Sequence, residues 1–205
     1  IATSGCGEQN RRKIEEFCNL VVASGICDHT PPANSPKMHR LVLSSVHLSL
    51  SDKCNLNCTY CYARERIEQK YRKLTYTEYT KIIDDILAIN PYVTFTLTGG
   101  EPLLNRDCLS IAEYIKSKGG KCYLLTNGTL IGEENIERIA HLIDLVTLSI
   151  DGPNSEIHSK TRGDNYNRVC QAIELLEQHN VEYTLSMTVT QGNIAYVEKM
   201  AKKYG

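Results

Sequence analysis

The chain has 205 residues, of which 41% are apolar and 23% charged, and 23 basic against 24 acidic side chains leave a formal charge of −1. That composition supports a packed core and excludes disorder as the main state. The near-neutral balance removes the electrostatic case for a nucleic-acid or anionic-membrane partner, and no apolar run approaches the ~20 residues that span a bilayer.

Residues 1–40 read differently from the rest and are assigned to a separate segment, with residues 41–205 forming the main domain. Arg11 to Ala23 has helical spacing, with Ile14, Phe17, Leu20 and Val21 on one face. His29 to Pro36 is a linker, because its prolines cannot sit inside a helix. Alternation then sets in. Leu41 to Leu50 reads as a strand. Thr75 to Ile89 reads as a helix, with Thr75 and Glu78 spaced as a capping box. Tyr92 to Leu97 is a strand, and Asp107 to Lys118 is a helix stopped by Gly119-Gly120. Lys121 to Leu125 is a strand, and Glu133 to Leu142 is a helix with Ile136, Ile139 and Ala140 inward. Leu145 to Ile150 is a strand, Asn167 to Gln178 a helix, Val181 to Val189 a strand, and Asn193 to Lys203 a last helix.

Five such alternations predict an α/β fold with parallel strands joined by right-handed crossovers. An open doubly wound sheet and a full or partial barrel both satisfy that order. Unusual residues follow each of the first four strands: Cys54, Cys58 and Cys61, then Gly99-Gly100-Glu101-Pro102, then Thr126-Asn127-Gly128, then Ser149 and Asp151-Gly152-Pro153. All four groups fall at carboxyl ends, where parallel α/β folds collect ligands.

Nine cysteines, an odd number without a secretion signal, argue for thiolate ligands in a reducing cytoplasm rather than a disulfide scaffold. Cys54, Cys58 and Cys61 form a C-x3-C-x2-C loop, and short spacing lets three thiolates converge from one segment. Structural zinc wants four ligands. Three cysteines on an iron–sulfur cluster leave one iron open. Cys108, Cys122 and Cys170 read as small buried apolar residues. Cys6, Cys18 and Cys27 are spaced too irregularly for a metal site. Taken alone, GGEP and TNG read as turns, and Ser149 as a strand-end hydroxyl. Asp151 reads as a turn residue, and His158 and Arg162 as solvated loop residues.

The triplet with an aromatic before its last cysteine, followed by GGEP and then TNG, resembles the radical S-adenosylmethionine enzymes over about residues 44–205. The block from Ser149 to Arg162 is similar to the subgroup of peptide maturases and anaerobic sulfatase-maturing enzymes, whose members carry a SPASM or twitch extension. The resemblance implies a partial (β/α)6 barrel, with the last strand and any C-terminal cluster domain outside this chain, which reads as a piece of a longer protein. It implies a 4Fe–4S cluster on Cys54, Cys58 and Cys61, with S-adenosylmethionine on the open iron. Auxiliary iron–sulfur clusters would belong to the missing domain. Tyr60 would lie near the adenine, Asn127 and Ser149 near the ribose or carboxylate, and Arg162 on the ligand carboxylate. Gly99 and Gly100 would let backbone approach the ligand, and Glu101 would meet its ammonium. The strand with Met187 and Val189 would support the adenine.

The activity implied is reductive cleavage of S-adenosylmethionine and hydrogen abstraction from a ribosomally made peptide, with flavodoxin or ferredoxin as the electron donor. Residues 1–40 would be the remnant of a leader-peptide-binding module. A formylglycine-generating sulfatase maturase is the enzymatic alternative, and a zinc-stabilised α/β binding module the alternative of another class. No residue is assigned as the acid or base that completes the reaction.

Overall fold

Strands and helices alternate through residues 43–61 and 72–205, which are the residues the computed structural model describes. The expected helix at Arg11 to Ala23, the linker, Cys6, Cys18, Cys27 and the start of the first strand at Leu41 lie outside them. The strands are β1 (Ser45–Ser51), β2 (Thr94–Gly99), β3 (Lys121–Thr126), β4 (Leu145–Ser149) and β5 (Tyr183–Ser186). They form one sheet in the order β1-β2-β3-β4-β5, each pair parallel. Strand order equals chain order, so crossovers of one hand place the helices on one face. The order never reverses, which excludes the doubly wound alternative. The sheet is a partial barrel with its helices outside.

The six helices are α1 (Tyr76–Ile89), α2 (Cys108–Ser117), α3 (Ile136–Leu142), α4 (Ser155–Arg162), α5 (Tyr166–Gln178) and α6 (Val197–Tyr204) among the described residues. α1 starts where the sequence places it. The Glu78 backbone N–H donates to Thr75 Oγ1 at 3.3 Å, and the Thr75 N–H donates to Glu78 Oε2 at 2.8 Å. Those two bonds satisfy donors the first turn cannot pair itself.

Phe95, Leu97, Leu124, Val146 and Leu148 are fully buried and pack in one core with Ile83, Ile111, Ile115, Ile139, Val169 and Leu176 from the helices. The alternate residues Thr94, Thr96, Thr98, Thr147 and Ser149 stay partly exposed on the concave face. The concave face therefore carries hydroxyls on β2 and β4 beside the apolar Leu125 and Leu145, while the layer between sheet and helices is apolar.

Several element ends shift, the last helix starting at Val197 rather than Asn193 and α3 at Ile136 rather than Glu133, and three further expectations change. Ala140 is exposed: Ile136, Ile139 and Leu142 are the inward residues of α3, and Ala140 lies about 100° round from Ile139. β5 keeps only Tyr183–Ser186 of the span from Val181 to Val189. α4 occupies a stretch read as loop; its inward residues are Ile157, His158 and Thr161, so apolar periodicity hardly marks it. None of the described helices is long and apolar enough to cross a membrane.

Candidate functional site

The cysteine loop leaves β1 through an irregularity between Ser49 and Ser51 and lies directly on the turn after β2. The Gly100 N–H donates to Ser51 O at 2.6 Å, and the Glu101 N–H to Lys53 O at 2.9 Å. A Cβ on Gly99, whose φ is +133°, would sit 2.4 Å from Ser51 O, and one on Gly100 2.4 Å from Lys53 O. The two glycines admit the loop's own backbone, and that contact is the close approach the fold requires of them. On the other side, the Thr59 N–H donates to Thr161 O of α4 at 2.9 Å. Asn55 Nδ2 donates to Thr129 Oγ1 at 2.8 Å, and Asn127 Nδ2 to Asn55 Oδ1 at 2.9 Å. The loop is thus fastened to the ends of β2 and β3 and to α4.

This docking creates a cavity of about 270 Å³ at the carboxyl edge of the sheet. Cys54, Cys58 and Cys61 line it with Tyr60, Gly99, Gly100, Asn127, Ser149 and Arg162. N–H groups face two of the sulfurs: Leu56 N lies 3.4 Å and Asn127 Nδ2 3.8 Å from Cys54 Sγ, and Arg162 Nη1 lies 3.9 Å from Cys58 Sγ. Burial pushes the Cys58 thiol pKa up, and Arg162 opposes that shift. Donors of this kind stabilise sulfur carrying negative charge. Among the described residues, no three His, Cys, Asp or Glu side chains are grouped to hold a single ion. Three thiols lining one cavity are the donor set that a 4Fe–4S cluster with one open iron requires. Burial pushes the Cys108 thiol up to about 12 and that of Cys122 higher still, which leaves both as inert thiols in the core. Cys170 is half-buried against that core.

Glu101 is fully buried and is absent from the cavity lining. Its Oε1 accepts from Thr126 Oγ1 at 2.7 Å and from the Leu103 N–H at 3.2 Å, and its Oε2 from the Asn127 N–H at 2.9 Å. It joins the GGEP turn to the TNG turn from beneath. Three donors occupy three of a carboxylate's roughly four acceptor positions. Burial raises its pKa, and these three bonds counter the rise.

Asp151, read as a turn residue, is a buried hub. Its Oδ2 accepts from Tyr60 Oη, from Thr161 Oγ1 at 2.9 Å and from Arg162 Nε at 2.9 Å, and its Oδ1 from the Thr188 N–H at 2.9 Å. Burial and then the Asp151 bond push the Tyr60 hydroxyl pKa up. Arg162 is 10% exposed in its side chain and His158 fully buried, which corrects their reading as solvated loop residues. The reason is α4, which turns both inward. His158 Nδ1 accepts from the Asp151 N–H at 3.2 Å, and Nε2 lies 3.0 Å from Asn165 Oδ1, fixing a neutral ring. Asn165 Nδ2 donates to Arg162 O at 2.6 Å, so its Oδ1 is the acceptor.

Every sequence-assigned site residue except Glu101 lines this one cavity. Of the segment that holds Met187 and Val189, Met187 packs against the core and Val189 is exposed, while Ser186 and Thr188 line the cavity. The period-2 alternation of an extended chain, counted from the half-buried Tyr183 and Leu185, would have placed them there. Thr126 of the TNG turn also lines the cavity, and Thr98 and Leu125 are further lining residues without a sequence motif of their own.

A curled parallel sheet with a three-thiol loop seated on a Gly-Gly turn defines the core architecture of a radical S-adenosylmethionine protein. The Radical SAM superfamily model matches residues 48–203, and the chain belongs to that superfamily. It is 33% identical over 153 residues to an AdoMet-dependent heme synthase of Oleidesulfovibrio alaskensis, covering 73% of this chain and 39% of that protein. It is 31% identical over 158 residues to the antilisterial bacteriocin subtilosin biosynthesis protein AlbA of Bacillus subtilis, covering 75% of this chain and 35% of that protein. The structure of anSMEcpe with bound AdoMet and Kp18Cys peptide matches with a TM-score of 0.70 at 29% identity, covering 78% of this chain and 47% of that one. The chain spans less than half the length of these proteins. Members of the superfamily use a 4Fe–4S cluster and S-adenosylmethionine.

Proposed function

We propose that the protein carrying this chain modifies a ribosomally made peptide by hydrogen abstraction, forming a cross-link or an oxidised residue. The observation that carries the reading is the convergence of Cys54, Cys58 and Cys61 with Gly99, Gly100, Asn127, Ser149 and Arg162 on one cavity. With the cluster and S-adenosylmethionine bound, that site supplies one-electron cleavage of the sulfonium and a 5′-deoxyadenosyl radical. In this reading the three thiolates hold the cluster. Tyr60 flanks the adenine, and Asn127 and Ser149 hold the ribose or carboxylate side. Arg162 pairs with the ligand carboxylate, and Glu101 acts from beneath the site by joining the GGEP and TNG turns. The hydroxyls of Thr94, Thr96, Thr98, Thr147 and Ser149 on the concave face give an extended polar chain hydrogen-bonding partners along its path.

The relative named as a bacteriocin biosynthesis protein and the peptide-bound structure support a peptide as substrate. The relative named as a heme synthase favours a second reading, a porphyrin precursor in place of the peptide. A flavodoxin or ferredoxin as electron donor, a cytoplasmic location, a leader-binding role for residues 1–40 and auxiliary clusters outside this chain complete the proposal.

The test is anaerobic incubation of the full protein with reductant, S-adenosylmethionine and candidate peptides, read by mass spectrometry. Formation of 5′-deoxyadenosine with loss of two hydrogens from a peptide is the expected result. Conversion of a Cys or Ser of a sulfatase to formylglycine would favour the alternative maturase. Turnover of a porphyrin alone would favour the second reading. Absence of 5′-deoxyadenosine with every substrate overturns the proposal.

A further inference from the structure

The buried pair of Asp151 and Arg162 has no counterpart in the sequence-level assignment of the site. Asp151 is fully buried and gathers four donors from three segments: Tyr60 of the cysteine loop, Thr161 and Arg162 of α4, and the backbone of Thr188 beyond β5. Its own main chain is held as well, because Asn193 Nδ2 donates to Asp151 O at 3.1 Å and His158 accepts from Asp151 N. Six partners fix one residue, more than an Asp-Gly-Pro turn requires.

Arg162 extends from this hub towards the sulfurs. Its Nε donates to Asp151 Oδ2 at 2.9 Å, its Nη1 lies 3.9 Å from Cys58 Sγ, and its guanidinium carbon lies 5.6 Å from the centre of the Tyr60 ring. A cation is thereby held at a fixed place beside one thiol, with a buried anion directly behind it. Net charge and hydrogen bonds at the sulfurs set the reduction potential of an iron–sulfur cluster. In a desolvated site such charges act with little screening.

We propose that Asp151 is a positioning residue that aims Arg162 at Cys58 and offsets its charge, so that the pair sets the reduction potential of the cluster held by Cys54, Cys58 and Cys61. The inference rests on the assignment of the cluster to those three cysteines. It concerns the electron-accepting step and not the substrate. Removing Asp151 leaves the cation uncompensated and raises the potential. Removing the cation while leaving the carboxylate lowers it. Removing both restores the charge of the unmodified site.

The experiment is a redox titration followed by electron paramagnetic resonance on the full protein with reconstituted clusters, without S-adenosylmethionine. The relevant signal is identified beforehand as the one that changes when S-adenosylmethionine is added. Asp151→Asn is expected to shift the midpoint upward and Arg162→Gln downward. Each shift corresponds to about a tenfold change in the one-electron equilibrium, or about 59 mV. The double variant is expected to return close to the unmodified value. A merely structural role would lower cluster occupancy in all three variants without opposite shifts or restoration, and that outcome overturns the proposal. Should Asp151→Asn fail to retain its cluster, Arg162→Gln decides alone: a downward shift supports the proposal and an unchanged or raised midpoint overturns it. A protein that holds no cluster at these cysteines overturns the cluster assignment together with this inference, whereas unmoved potentials on a loaded cluster overturn only the latter.

Discussion

Adding one methyl group at Gly100 tests whether this position exists to admit the cysteine loop. An alanine Cβ would sit 2.4 Å from Lys53 O, 2.6 Å from Lys53 C and 3.1 Å from Cys54 N, all backbone atoms. The loop must retreat by about 1 Å to reach an ordinary 3.4 Å contact. That movement breaks the 2.9 Å bond from Glu101 N to Lys53 O, a loss of about 1 kcal/mol. Overpacking against backbone adds about 1–3 kcal/mol. Gly100→Ala therefore disfavours the seated loop by about 2–4 kcal/mol. Because Cys54 is part of the displaced segment, the same energy weakens cluster binding by about 30- to 1,000-fold. Urea unfolding of the apoprotein measures the first quantity, and chelator competition on the reconstituted protein measures the second. Stability within about 0.5 kcal/mol of the parent together with unchanged resistance to chelator would refute the reasoning.

Glu101→Gln should destabilise by about 1.5–3 kcal/mol in urea unfolding. Leu103 N faces one carboxylate oxygen and Asn127 N the other, so either amide orientation sets an NH2 group against a backbone N–H. Thr75→Ala should cost about 1 kcal/mol by removing the acceptor of the α1 capping box, read as a shift in urea midpoint. Acidification should weaken the fold through His158, whose pKa burial holds below the ordinary imidazole value. Its contribution is fully present above about pH 6.5, the unfolded value, and is lost as pH falls through the folded one, by up to about 1.4 kcal/mol per pH unit. Urea midpoints at pH 7.5 and 5.5 check this, and His158→Gln should flatten the difference.

The succession of strands and helices along the chain and the edge that carries the candidate site were legible because both rest on local signals, whereas the order of strands within the sheet was left open between a doubly wound sheet and a barrel. Thr75 and Glu78 marked the start of α1, and apolar runs marked the five strands. The cysteines, GGEP, TNG and Ser149 all followed strand ends. Asp151, His158 and Arg162 were not legible as a buried group, since polar residues turned inward by a helix look like a solvated loop. Thr161, His158 and Ile157 form the inward face of α4, and only one of them is apolar. Hydrogen bonds over 91 positions, as between Tyr60 and Asp151, leave no periodic trace. Gly99 and Gly100 suggested a close backbone approach, but only the folded chain shows that the approaching segment is residues 51–54. Glu101 stood out in the sequence as a carboxylate after a strand end, but its commitment to Thr126, Asn127 and Leu103 was not legible.

The most direct measurement is Mössbauer spectroscopy on the full protein loaded anaerobically with 57Fe, with and without S-adenosylmethionine, for the parent and for the variant with Cys54, Cys58 and Cys61 all changed to Ala. The account predicts a four-iron cluster in which one iron site alone changes its spectrum on adding S-adenosylmethionine, and loss of that response in the variant. A response that survives without the three thiols, or no iron site that senses S-adenosylmethionine in the parent, would contradict it.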